Sequence, residues 1–125
     1  MQRRAVFCVK GAVLIIAGAG SGKTTVLCNR IANMMRFGNA YLDETVRGLT
    51  PEQEQFLQDF PAMEKTPENA ERLAEIVAVE PVQPWNILAI TFTNKAAGEL
   101  RQRLIDMIGE DAEKINASTF HSACV

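Results

Sequence analysis

Eight residues near the start of the chain, Ala17-Gly18-Ala19-Gly20-Ser21-Gly22-Lys23-Thr24, restrict what it can fold into more than any other stretch. Glycine at every second position opens backbone conformations closed to other residues, so successive N–H groups can curl round one anion. The flanks fix the setting. Ala12-Val13-Leu14-Ile15-Ile16-Ala17 is an unbroken apolar run rich in β-branched residues, which predicts a parallel strand buried on both faces. From Gly22 the apolar spacing turns helical, with Leu27, Ile31, Met34 and Met35 on one face and Gly38 placed to end the helix. Strand, glycine loop and helix in that order make a P-loop, with Ala17 standing where glycine is usual.

The residue types suit a nucleotide phosphate chain. Gly18, Gly20 and Gly22 let the backbone approach closely, and the helix N-terminus that follows adds its positive end. Lys23 supplies a mobile point charge for the β- and γ-phosphates, and the Thr24 hydroxyl is a hard oxygen suited to Mg²⁺. A chance match would explain the eight letters but not their position between a strand and an amphipathic helix.

Downstream, residues 39–84 read as an inserted helical segment. Thr50-Pro51 and Thr66-Pro67 each set an N-cap before a proline, so a short helix is predicted after each. The second carries Ala70, Leu73 and Val77 on one stripe and a Glu68/Arg72 pair four residues apart, and Pro81 and Pro84 close the segment. Charge is concentrated here: Ala40 to Glu80 holds ten acids against three bases, whereas the rest holds ten bases against five acids. A nucleic acid would therefore meet the two ends of the chain rather than its middle.

Ile87-Leu88-Ala89-Ile90-Thr91-Phe92 is a second buried-strand run. A helix from about Asn94 to Ile108 follows, with Ala97, Leu100, Leu104 and Ile108 facing inward and Glu99 paired with Arg103 on the wet side. Ile115 to Ser118 is a third, short strand. Strands separated by helices predict an α/β fold, a parallel sheet flanked by helices with right-handed crossovers.

GTPases and small kinases also carry phosphate cradles. A guanine reader fails at Asn94-Lys95-Ala96-Ala97, where an alanine takes the place of the carboxylate that must grip the base. Asp106-Met107-Ile108-Gly109 imitates a switch motif but lies near a helix end and after that string, and no arginine-bearing kinase lid is recognisable. Thr91-Phe92-Thr93-Asn94-Lys95-Ala96-Ala97, in contrast, resembles motif Ia of the superfamily 1 helicases of the UvrD, PcrA and Rep group. Gln2-Arg3-Arg4-Ala5-Val6 is similar to that family's Q motif, Ala17 to Thr25 to its motif I, and Ala117-Ser118-Thr119-Phe120-His121-Ser122 to its motif Ib, all in the family's order.

The resemblance implies that residues 1–125 are the N-terminal part of an ATP-binding domain, a P-loop NTPase sheet of the RecA-like type, incomplete, with an acidic helical insertion at about 39–84. It implies an ATP-dependent helicase or translocase that uses Mg²⁺ and works on single-stranded DNA and DNA junctions. Gln2 would read the adenine edge with an amide that both donates and accepts. Ala17, Gly18, Ala19, Gly20, Ser21, Gly22, Lys23, Thr24 and Thr25 would hold the nucleotide, with Lys23 and Thr24 catalytic and Thr24 also on the metal. The chain departs from the pattern at Thr25, where many relatives carry arginine.

Thr91, Phe92, Thr93, Asn94, Lys95, Thr119 and His121 would meet DNA. Hydroxyls, Asn94, Lys95 and helix N-terminal N–H groups suit phosphates, and a base stacked on Phe92 would gain roughly 1–3 kcal/mol whatever its identity. Pattern alone also allows plainer roles: Phe92 in the core, Thr93 or Asn94 as a helix cap, His121 as a satisfied structural residue.

Two further parts of an ATPase, an acidic residue at a strand end and an arginine for the transition state, have no convincing match. Ala40-Tyr41-Leu42-Asp43-Glu44 imitates the acidic motif but precedes motif Ia, and the resemblance implies that the missing parts lie beyond Val125. The 125 residues alone are therefore expected to bind nucleotide weakly at most and not to turn it over. The competing reading is a catalytically silent P-loop module for nucleic-acid or protein interaction.

Cys8, Cys28 and Cys124 show no metal or disulfide spacing, which suits a reducing, cytoplasmic setting. Gln2-Arg3-Arg4 before Ala12 to Ala19 imitates an export leader, but Lys10-Gly11 interrupts the apolar run, which is also too short for a membrane. No membrane association is expected, and the sequence names no protein partner.

Overall fold

Local signals account for most of the element boundaries. The computed structural model describes residues 2–14, 22–45 and 47–124. Helices α1 (Gln2–Phe7), α2 (Lys23–Arg36), α3 (Pro51–Asp59) and α4 (Pro67–Val77) precede strand β1 (Leu88–Thr91), followed by α5 (Asn94–Ile108), β2 (Asn116–Thr119) and α6 (Phe120–Ala123). Helix α5 begins where the Thr93 hydroxyl accepts the Ala96 N–H at 3.1 Å and ends at Gly109, whose φ of 93° stops the helix. At the start of α3, Thr50 and Gln53 form a reciprocal capping box: the Thr50 hydroxyl accepts the Gln53 N–H, and the Gln53 side chain accepts the Thr50 N–H. Thr66 caps α4 by accepting the Asn69 N–H. Both proline-started helices therefore form as the sequence predicts.

Strands β1 and β2 pair in parallel, with Leu88, Ala89, Ile90 and Thr91 opposite Asn116, Ala117, Ser118 and Thr119. Strand β2, expected as the third strand at Ile115 to Ser118, thus lies one residue later than the sequence places it. Helix α5 packs on the face that presents Ala89 and Ala117 and α2 packs on α5, so that Cys28, Ile31, Leu100 and Leu104 join Ile87, Ala112 and Ile115 in one buried cluster. Alanine on both strands lets the helices sit close, and Leu104 is completely buried.

Several expectations need correction. Strand β1 is buried on one face only: Leu88 and Ile90 are half exposed, because among the described residues the helices cover the alanine face. Of the predicted first strand, Ala12, Val13 and Leu14 carry no strand pairing and Leu14 is exposed, while its remaining residues lie outside the described ones. Leu27 is exposed, and the buried arc of α2 runs through Val26, Cys28, Ile31, Ala32 and Asn33. That arc is wider because α2 packs against α1 as well as α5.

Neither predicted side-chain ion pair forms. Among the described residues the ion pairs are Lys10–Glu80 and Lys114–Asp111, and Arg72 lies over the Phe56 ring at 4.7 Å instead of on Glu68. Exposed pairs of this spacing contribute only about 0.3–0.5 kcal/mol, too little to hold two long side chains against a better contact.

The segment that carries α3 and α4 leaves and rejoins the core at one point. Asn39 N–H donates to Val79 O (2.8 Å), Val79 N–H to Phe37 O (2.9 Å) and Val82 N–H to Met34 O (2.9 Å). Gly38 sits inside this clip with φ 59°, and a Cβ there would lie 1.9 Å from Val79 O. Gly38→Ala is therefore expected to destabilise the fold by at least about 1–3 kcal/mol, whereas Gly48→Ala, with open space around it, is near neutral; urea unfolding midpoints compare the two. A second expectation concerns the thiols. Burial pushes the Cys28 thiol up, against an opposing pull from the Arg103 guanidinium, so thiol reagents at neutral pH should modify exposed Cys124 well before Cys28.

Candidate nucleotide and nucleic-acid interface

The packing of α2 on α5 brings the chain's three motif-bearing junctions to one end. The helices are 14 and 15 residues long and share a core. At their far ends Arg36 donates to Met107 O at 2.8 Å. The two helices therefore run in the same direction, with their N-termini, at Lys23 and Asn94, away from that contact. The carboxyl ends of β1 and β2 point the same way, because β1 runs through Phe92 and Thr93 directly into α5 and Thr91 pairs with Thr119. In parallel sheets this is the end at which ligands bind.

Of the phosphate loop, Ala17, Gly18, Ala19, Gly20 and Ser21 lie outside the described residues, as does the Gln2 side chain. Gly22 is described and adopts the left-handed conformation, φ 79° and ψ 23°, at the N-cap of α2. Having no side chain, it gives the first-turn N–H groups no side-chain cap among the described residues. Lys23, Thr24 and Thr25 follow as exposed residues of that first turn. A left-handed glycine, bare N–H groups, an exposed lysine and an exposed threonine hydroxyl fit a phosphate chain with its magnesium ion.

Helix α1 lies against α2. Arg30 donates to Ala5 O at 2.9 Å, and Asn33 reaches Val6 O at 3.5 Å. Between the helices is a cavity of about 270 Å³ lined by Arg3, Val6, Phe7, Thr25, Val26 and Asn29. The helix that begins at Gln2 and the helix that begins at Lys23 therefore share a wall beside the phosphate-loop terminus. Sequence patterns did not reveal Arg30 or Asn33, because polar residues on an amphipathic helix ordinarily face water.

At the strand ends, Phe92 is fully exposed, which removes the core role that pattern alone favours. Thr91 donates to Thr93 O at 3.0 Å across the turn, and Thr93 is the residue that caps α5. The Thr93 hydroxyl proton remains free to donate. Asn94 and Lys95 are exposed on the first turn of α5. Thr119 is buried and caps α6: its hydroxyl accepts the Ser122 N–H and donates to Ser122 Oγ at 2.9 Å, so it is committed within the protein. His121 is exposed, as is Phe120, which follows Thr119 just as Phe92 follows its strand partner Thr91.

Asp43 and Glu44 belong to no strand: Tyr41 and Leu42 form an exposed turn, and the Asp43 carboxylate accepts the Thr45 hydroxyl at 2.6 Å. No cluster of three or more metal-ligating side chains occurs among the described residues. No helix there is long and apolar enough to cross a membrane.

Comparison with known proteins identifies relatives. Residues 1–46 and 65–125 match the UvrD/REP helicase N-terminal domain; residues 47–64, which carry α3, fall outside the match. The chain is 38% identical over 125 residues to the ATP-dependent DNA helicase PcrA of Bacillus subtilis (strain 168), a match covering 100% of this chain and 11% of that protein. It is 40% identical to PcrA of Staphylococcus epidermidis (strain RP62A) and 39% to PcrA of Staphylococcus aureus (strain Mu50), over 99% of this chain and 11% of each relative. The chain thus spans about one ninth of the length of these curated relatives.

The cap on α5 generates a test of the local geometry. Thr93→Ala should cost about 1 kcal/mol of stability and Thr93→Ser nearly nothing, measured by chemical denaturation, because the serine hydroxyl can still accept the Ala96 N–H.

Proposed function

The chain belongs to the UvrD/REP helicase N-terminal domain family, and from that premise we propose that it carries the nucleotide-phosphate site and part of the single-stranded DNA track of an ATP-dependent DNA helicase. The observation that supports the reading is the common direction of α2 and α5, which points the start of the phosphate-loop helix the same way as the motif Ia turn and the strand end that leads into the motif Ib helix.

In this reading residues 1–125 are the N-terminal part of a RecA-like ATP-binding domain, with an acidic helical insertion at about 39–84. Ala17 to Thr25 wrap the phosphates with backbone N–H groups. Lys23 draws the β- and γ-phosphates as a point charge, the Thr24 hydroxyl holds Mg²⁺, and Gln2 reads adenine. When bound, Mg²⁺ supplies charge that offsets the crowded phosphate oxygens. Phe92 offers an exposed ring for a base to stack on. The Thr93 hydroxyl, Asn94, Lys95 and His121 meet DNA phosphates, while Thr91 and Thr119 hold the turns that present them.

The two helices share one core, through which we expect the sites to be linked. A displacement of α2 on nucleotide binding passes through Cys28 and Ile31 to Leu100 and Leu104, and so to the N-terminus of α5 that grips the strand. Single-stranded DNA and its junctions are the proposed partners, and the cytoplasm the proposed setting, which the free thiols of Cys8, Cys28 and Cys124 suit.

The full-length protein should release phosphate from ATP faster when single-stranded DNA is added. Lys23→Ala should lower that rate by on the order of 100-fold or more while leaving the unfolding midpoint close to wild type. An active full-length enzyme indifferent to DNA would overturn the assignment.

A further inference from the structure

We propose that Arg30 is a positioning residue for base selection, acting by pinning α1 against the phosphate-loop helix. The inference rests on the functional reading above. Helix α1 has six residues, well under the roughly 12–15 at which an isolated helix becomes even marginally stable, so its position is set by what holds it. Its last-turn carbonyls lack partners within the helix. Arg4 O accepts the Cys8 N–H at 3.0 Å, while Ala5 O and Val6 O face α2 and accept from Arg30 and Asn33. These donors are three residues apart on α2 and therefore share a face.

Arg30 is the stronger of the two. Its bond is 2.9 Å against 3.5 Å for Asn33, and its guanidinium carries a full positive charge to the negative end of α1. At the end of α1, Phe7 also stacks on Tyr41 with ring centroids 4.2 Å apart, but Tyr41 is two-thirds exposed, and the Lys10–Glu80 pair is exposed on both partners. The firm attachment of α1 is thus to α2, the helix whose first turn carries Lys23 and Thr24.

This arrangement separates base from phosphate. Arg3, Val6 and Phe7 form one wall of the cavity of about 270 Å³, and Thr25, Val26 and Asn29 form the other. Releasing Ala5 O lets the α1 wall move and carries Gln2 with it. Lys23 and Thr24 remain on α2, which is held independently by Cys28 and Ile31 in the core. Loss of Arg30 therefore weakens discrimination between purine bases and leaves the phosphate grip in place.

The test measures dissociation constants of ATP, GTP and inorganic tripolyphosphate on the full-length protein. Arg30→Ala should weaken ATP binding on the order of ten-fold, bring the ATP-to-GTP ratio toward one, and change tripolyphosphate affinity by less than about two-fold. Arg30→Lys, which can still donate to Ala5 O, should recover part of the ATP preference. Equal weakening of ATP and tripolyphosphate, or an ATP-to-GTP ratio unchanged by Arg30→Ala, would overturn the proposal. So would a wild-type protein that binds ATP and GTP equally. If Arg30→Ala does not fold, Arg30→Gln takes its place: a ratio that moves toward one supports the proposal, and an unchanged ratio overturns it. Failure of wild-type protein to bind ATP at all removes the functional reading itself, whereas an ATP preference that ignores Arg30 removes only this inference.

Discussion

Everything else in the described structure hangs on the seating of α5 on a two-alanine strip of sheet and of α2 on α5. Ala89 and Ala117 leave room for α2 and α5 to bury Cys28, Ile31, Leu100 and Leu104 in a single cluster. Bulkier residues on those strands would push the helices outward and separate their N-termini. Burial of the two leucines contributes about 1.5–3 kcal/mol each, far more than any surface ion pair in the chain, so apolar packing sets the geometry. Polar contacts then refine it: Arg36 closes the far end on Met107 O, and Arg101 fastens α5 to β2 by donating to Ala117 O at 2.8 Å.

Because α2 and α5 run one way and the two strands the other, the layer has two chemically different ends. One gathers helix N-termini, uncapped N–H groups, Lys23, Lys95 and the exposed ring of Phe92. The other receives the clip at Gly38 and Val79 and the helices α3 and α4. A second cavity, of about 440 Å³, lies at that far end between the start of α4, at Thr66 and Pro67, and the ends of α2 and α5, at Arg36 and Ile108. The segment outside the family match is thus joined to the rest at the end away from the N-termini of α2 and α5.

How much of this could be read in advance depended on the range of the forces involved. The start and end of α5 and the starts of α3 and α4 follow from caps within three or four residues, and all were legible in the chain. The buried arc of α2 was not, because Leu27 and Val26 differ only in which neighbour each meets, and that is decided by α1 and α5. The exposure of Phe92 contradicts its apolar setting, and only likeness to a DNA-binding motif suggested it. Most of the phosphate loop was legible as letters, yet of its residues the structure describes only Gly22 onward. Arg30 left no mark in the sequence, since a side chain capping another helix's carbonyls is a tertiary event.

Charge follows the same division of ends. In the acidic middle segment, each base is taken up internally: Arg47 donates to Val77 O and Ala78 O, Lys65 to Phe60 O, and Arg72 covers the Phe56 ring. Among the described residues none of the three pairs with a carboxylate, so the segment's ten acids stay largely unneutralised. Such a field would repel DNA if it reached the strand ends. The acids of α4, whose Glu71 shares the far-end cavity with Arg36 and Ile108, are set off from the start of α5 by that helix's length, about 22 Å at 1.5 Å per residue, and the Debye length at physiological salt is about 8 Å. Across more than two screening lengths the acids exert little force on a phosphate at Asn94 or Lys95. They act instead on whatever approaches the far end, where they disfavour any polyanion.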